Sequence, residues 1–68
     1  MTTVIKSHKN GDYYVSLEIT KYNIYVVQVC PQFDDYNCGY PIREMTYPMS
    51  EKKNACATYR RYIQKYCQ

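Results

Sequence analysis

Five side chains carry most of the reactive potential of this sequence: Cys30, Cys38, Cys56, Cys67 and the single histidine, His8. Thiolates and imidazole are the preferred ligands of zinc, which takes four of them in a tetrahedron with Zn–S distances of about 2.3 Å. Cys30-Pro31 and Cys38-Gly39 have the flanks seen in zinc knuckles. The seven residues between the two cysteines exceed the usual gap of roughly two to four. Whether these groups can meet depends on the elements that carry them.

Those elements are legible as strands and one helix. Residues 2–8 read as a first strand, followed by Asn10-Gly11, the strongest short hairpin signal because both turn positions favour positive φ. Residues 12–20 alternate, with Tyr13, Val15, Leu17 and Ile19 on one side and Tyr14, Ser16, Glu18 and Thr20 on the other, the pattern of a half-buried strand. Residues 24–30, IYVVQVC, are nearly all apolar and read as a central strand ended by Pro31, with Tyr25, Val27 and Val29 on the face shared with Leu17. Residues 31–39 form a polar loop, and residues 40–47 return as a further strand. Ser50 suits an N-cap, Glu51 the positive helix end and Met49 the staple position, so a helix is expected over about 51–67. Its apolar stripe is Ala55, Tyr59, Tyr62, Ile63 and Tyr66. The expected fold is a single α+β domain, a three- to four-stranded antiparallel meander with one C-terminal helix packed on one face.

Strand reversal then sorts the thiols. His8 precedes the first turn, Cys30 ends the third strand at that same pole, and Cys38 starts the fourth strand from there. Eighteen helical residues span about 27 Å and eight strand residues about 26 Å, so the helix should bring Cys67 back to the pole. Cys56 stays about 16 Å away up the helix. The metal reading is therefore a structural zinc held by His8, Cys30, Cys38 and Cys67. A reading of the cysteines as small buried hydrophobes stands beside it, and a disulfide is the third possibility. The chain begins without an apolar leader and has no run of about 20 apolar residues, so a cytoplasmic location with reduced thiols is expected.

Catalysis is not expected. No Ser-His-Asp or Cys-His-Asn set can be assembled around one histidine, and a His8–cysteine pair lacks a third orienting group. Asp34 and Asp35 are adjacent in a polar loop. Gly11 and Gly39 are the chain's two glycines, too few for a phosphate-cradling loop. A domain of 68 residues also has little room for a pocket of several hundred Å³.

Binding is the alternative, and charge points to where. Residues 1–49 carry Lys6, Lys9, Lys21 and Arg43 against Asp12, Glu18, Asp34, Asp35 and Glu44, for a net charge of −1. Residues 50–68 carry Lys52, Lys53, Arg60, Arg61 and Lys65 against Glu51, for +4. The basic character belongs to the helix. Ten tyrosines are more than a small core needs. Tyr13, Tyr25, Tyr59, Tyr62 and Tyr66 fit core positions, while Tyr14, Tyr22, Tyr36, Tyr40 and Tyr47 are candidates for partial exposure. Exposed tyrosines suit protein interfaces and can stack on bases. The cations can meet phosphates or an acidic protein surface.

The runs Tyr22-Asn23-Ile24-Tyr25-Val26-Val27, Tyr40-Pro41-Ile42-Arg43-Glu44-Met45-Thr46-Tyr47, Lys52-Lys53-Asn54-Ala55 and Thr58-Tyr59-Arg60-Arg61-Tyr62-Ile63 resemble small mobile-element and phage proteins of gut Firmicutes. The likeness covers roughly two-thirds of the chain, and in size and lack of enzymatic motifs the chain resembles type II anti-CRISPR proteins. That resemblance implies a non-enzymatic inhibitor that docks on a CRISPR effector nuclease and blocks guide or target-DNA loading. Its positive net charge argues against DNA mimicry. The expected contacts are Lys52, Lys53, Arg60, Arg61 and Lys65 with Tyr14 and Tyr36. The alternatives are a small basic nucleic-acid-binding accessory protein and a structural interaction module.

Overall fold

The computed structural model describes residues 2–32 and 39–67. Four strands, β1 (Thr2–Asn10), β2 (Tyr13–Thr20), β3 (Ile24–Pro31) and β4 (Arg43–Pro48), form one antiparallel sheet in the order β1-β2-β3-β4. A 3-10 turn, Met49–Glu51, leads into the helix α1, Lys52–Tyr66. The meander is thus four-stranded, and the helix crosses one face of β2, β3 and β4.

Side-chain parity decides what the helix covers. Val15, Leu17, Tyr25, Val27 and Val29 are buried with Ala55, Tyr59 and Cys67 in one core. Register pairs Leu17 with Val27 and Val15 with Val29, so their side chains stand together beneath the helix. Tyr62, Ile63 and Tyr66 close the helix stripe, each half-buried against this core. Tyr47, a candidate for partial exposure, is half-buried and packs against this core. Its hydroxyl lies 2.6 Å from Thr58 Oγ1 and clasps α1 to β4.

β1 lies beyond the helix, and all nine of its residues are exposed. Its register on β2 slips between Val4 and Lys6, a bulge. Lys6, Lys9 and this bulge blunt an edge that could otherwise pair with another chain.

Several boundaries move from the sequence reading. The first hairpin loop is Gly11-Asp12, because Asn10 pairs with Tyr13 inside the ladder. Gly11 alone takes the positive φ there, +63°. That places glycine at the first loop position, as in the II′ class, instead of Asn-Gly in both. The Asn10 side chain also reaches the far end of the chain, where its Nδ2 donates to Cys67 O at 3.1 Å and ties β1 to the end of α1. β4 starts at Arg43, three residues later than expected, since Tyr40 and Pro41 precede the ladder. Ser50 is no N-cap; it sits inside the 3-10 turn that Pro48 opens at φ −66°. No side chain caps α1, and the chain passes from strand to helix through the tighter turn. Glu51 does lie at the helix start, and accepts from Asn54 Nδ2 at 2.9 Å.

Candidate anion-binding surface

Parity that buries the core also sorts the charges. Lys6 stands opposite Leu17 and His8 opposite Val15, so both share the helix side of the sheet. Arg43 stands opposite Val29 and joins them. With Lys52, Lys53, Arg60, Arg61 and Lys65 of α1, all exposed, the described residues placed on the helix side by strand parity and by α1 are seven lysines and arginines against one carboxylate, Glu51; Asp34 and Asp35 lie outside the described residues. The other face has Lys9, Glu18 and Glu44 by the same alternation. Among the described residues, none of the seven cations on the helix side forms an ion pair with a carboxylate. α1 itself contains no acidic residue, so i,i+4 pairing cannot neutralise it.

At 100° per residue the helix divides its cations between two flanks. Thr58, Tyr62 and Tyr66 follow at four-residue spacing and face β4, as the Tyr47–Thr58 clasp shows. Arg61 and Lys65 border that row. Lys53 and Arg60 lie on the opposite flank, toward β1. The end of the β4 flank is the most organised part of the surface. Arg43 Nε donates to Tyr66 Oη at 3.3 Å. Lys65 Nζ lies 5.3 Å from the centre of the Tyr66 ring. The ring is held from within by Tyr13 at 5.4 Å and Tyr62 at 6.1 Å between centroids. The hydrogen bond from Arg43 holds the Tyr66 phenol below its ordinary range, aided by the Lys65 charge and opposed by burial. The same bond raises the Arg43 guanidinium further.

The opposite face has different chemistry. Glu18 accepts from Thr2 Oγ1 at 2.9 Å, from Ser16 Oγ at 2.9 Å and from Gln28 Nε2. Three donors on one half-buried carboxylate make it a structural hub that knits β1, β2 and β3 together.

Among the described residues, Cys30 and Cys67 both reach the expected pole but stand on different faces of the sheet. Cys67 returns to the first hairpin, its thiol 3.7 Å from Tyr13 O and 5% exposed. Cys30 pairs with Tyr14 at that same pole and is also buried. However, Tyr14 and Cys30 alternate onto the face away from the helix, whereas Cys67 lies in the core beneath it. His8 is exposed on the edge strand. His8, Cys30 and Cys67 therefore do not gather, and among the described residues no three metal-ligating side chains come together. Cys38 lies outside the described residues, as does Tyr36. Burial pushes the Cys67 thiol up, partly offset by Asn10. Cys56 is half-buried against the core.

Of the expected partner contacts, the five helix cations are all exposed together on the helix side, and Tyr14 is half-buried on the other face. Arg43 and Tyr66 were not among them. They are 23 residues apart, and only the docking of α1 on β4 brings them together. Among the described residues no helix is long and apolar enough to cross a membrane. Comparison with protein-family models, with curated proteins and with solved structures finds no match.

Proposed function

We propose that this is a non-enzymatic binding protein that docks through the cationic helix side onto an anionic macromolecular surface. The observation that carries the reading is the segregation of charge among the described residues: seven cations and one carboxylate on the helix side, without ion pairs to neutralise them. Unpaired like charges on one surface repel one another, and an opposite charge on a partner removes that cost and speeds encounter. The titratable groups of the sheet support binding over catalysis. His8 is exposed on an edge strand, and Glu18 is occupied by three donors.

The resemblance to type II anti-CRISPR proteins makes an effector nuclease the first partner to test. In a pull-down with such a nuclease, with and without guide RNA, the protein is expected to be retained in at least one state. Reversing the helix charge, with Lys53→Glu and Arg60→Glu together, should release it. Absence of a complex in both states would remove the nuclease as partner. Retention of the charge-reversed protein would remove the helix side as the docking surface.

A further inference from the structure

We propose that Arg43, Tyr66 and Lys65 form a seat for one phosphate group of a single-stranded nucleic acid, with Tyr40 as a stacking platform beside it. The inference rests on the docking reading above and names the chemical group that docks.

The argument starts from hydrogen-bond inventory. Arg43 uses Nε to donate to Tyr66 Oη. Both terminal guanidinium nitrogens remain available as donors, in the planar fork that matches phosphate oxygens. With its oxygen accepting from Arg43, the Tyr66 phenol has its own proton left to donate. Lys65 brings an ammonium over the same ring. Every polar group converging here has a proton left to donate, and two carry positive charge. Arg43 and Lys65 each gain from the phenol, through a hydrogen bond and through the ring face, and their remaining donors point to an anion with several acceptor oxygens. Among the described residues, the groups that shift the Arg43 guanidinium are Tyr66 and Tyr62, and no carboxylate is one of them. The seat is also preorganised, because Tyr13 and Tyr62 fix the Tyr66 ring from the core side.

Tyr40 separates a nucleic acid from other polyanions. It is 93% exposed, three residues before Arg43 at the same end of the sheet. A ring so exposed contributes little to the core, and three residues before Arg43 in the chain it has a face to offer an unpaired base. A duplex buries those faces, hence the single strand. Arg61, one turn from Lys65 along α1 and about 6 Å away on the axis, continues the cationic track to the next phosphate.

The test is fluorescence anisotropy with labelled oligodeoxythymidylate and oligouridylate, against polyglutamate of equal length, across a salt series. The intact protein should bind the oligonucleotides, with log K falling linearly in log salt, and bind polyglutamate much more weakly. Tyr66→Phe, which changes no charge, should weaken binding about fivefold at unchanged salt slope. Arg43→Gln with Lys65→Gln should weaken it about tenfold or more and flatten the slope by about 0.7, the share of one phosphate on a single strand. Tyr40→Ala should cost about fivefold or more. Lys53→Gln with Arg60→Gln removes as much charge from the other flank and should cost less. Circular dichroism of each variant controls for folding, and Arg43, Lys65 and Tyr40 are all exposed. Oligonucleotide binding that Tyr66→Phe and Arg43→Gln/Lys65→Gln leave intact would overturn the seat while the docking surface stands. Equal binding of polyglutamate would overturn phosphate as the ligand group. Binding of neither polymer, nor of any effector nuclease, would take down the docking reading as well.

Discussion

The clasp between Tyr47 and Thr58 sets the azimuth of α1 over the sheet, and so decides whether Tyr66 reaches Arg43. Its energetics can be worked from the structure. The two hydroxyls lie 2.6 Å apart, and Thr58 is 6% exposed whereas Tyr47 is half-buried. Tyr47→Phe strands the Thr58 hydroxyl in the core, with the desolvation cost of an unsatisfied buried group, about 1–3 kcal/mol. Its one local outlet is the carbonyl four residues back in the helix, which puts the expected loss near the low end, about 1 kcal/mol. Thr58→Val leaves the Tyr47 hydroxyl within reach of water, so the loss should be smaller, about 0.5 kcal/mol. With both changes no polar group is stranded, and the double variant should lose less than the sum of the singles by about 1 kcal/mol. Urea denaturation followed by circular dichroism reads this as shifts of the midpoint at constant m. Strictly additive singles, or a Tyr47→Phe loss within error of zero, would show that the hydroxyl pair does not hold the helix.

Three further outcomes are expected. Leu17 is 1% exposed at the centre of the core; Leu17→Ala should cost about 2–5 kcal/mol, much of the roughly 3–10 kcal/mol available to a domain of this size, and would appear as loss of cooperative thermal unfolding. Burial, with smaller contributions from Tyr14 and Cys67, raises the Tyr59 phenol, so its stabilising effect is complete below the ordinary tyrosine range and disappears as pH rises through the folded value. Tyr66 is shifted the opposite way by Arg43; its added stability is complete above the unfolded value and is lost as pH falls through the folded one. In an alkaline titration followed by ultraviolet absorbance, Tyr66→Phe should delete an early component and Tyr59→Phe a late one; the reverse order would contradict both environments. Cys67 should resist alkylation near neutral pH, being buried with a raised thiol, and modification of Cys67 ahead of half-buried Cys56 in a mass-spectrometric time course would show that the end of α1 is not seated on the first hairpin.

The strands, their order and the helix were all readable from short-range patterns. Alternation in Tyr13-Val15-Leu17-Ile19 gave the face of β2, and Tyr25-Val27-Val29 gave that of β3, because period-two burial is a local property of extended chain. The same parity, carried one residue further, places Cys30 on the opposite face from Val29. A reading by strand direction alone brings Cys30 and Cys67 to one pole; parity then separates them across the sheet. Cap and turn details were less legible. Ser50 and Asn10-Gly11 have the right residue types, yet Pro48 and the Asn10–Cys67 contact shifted each boundary.

By itself, then, the sequence determined a meander of three to four strands and a helix with an apolar stripe and a basic outer surface, since each follows from neighbours a few residues apart. Only the tertiary structure decided which cations share a side, which thiols are kept apart, and that Arg43 meets Tyr66 and Tyr47 meets Thr58. Those pairings depend on the angle and height at which α1 settles on β4. That placement is fixed by packing among Leu17, Val27, Val29, Ala55 and Tyr59 together, and no local window of the chain contains it.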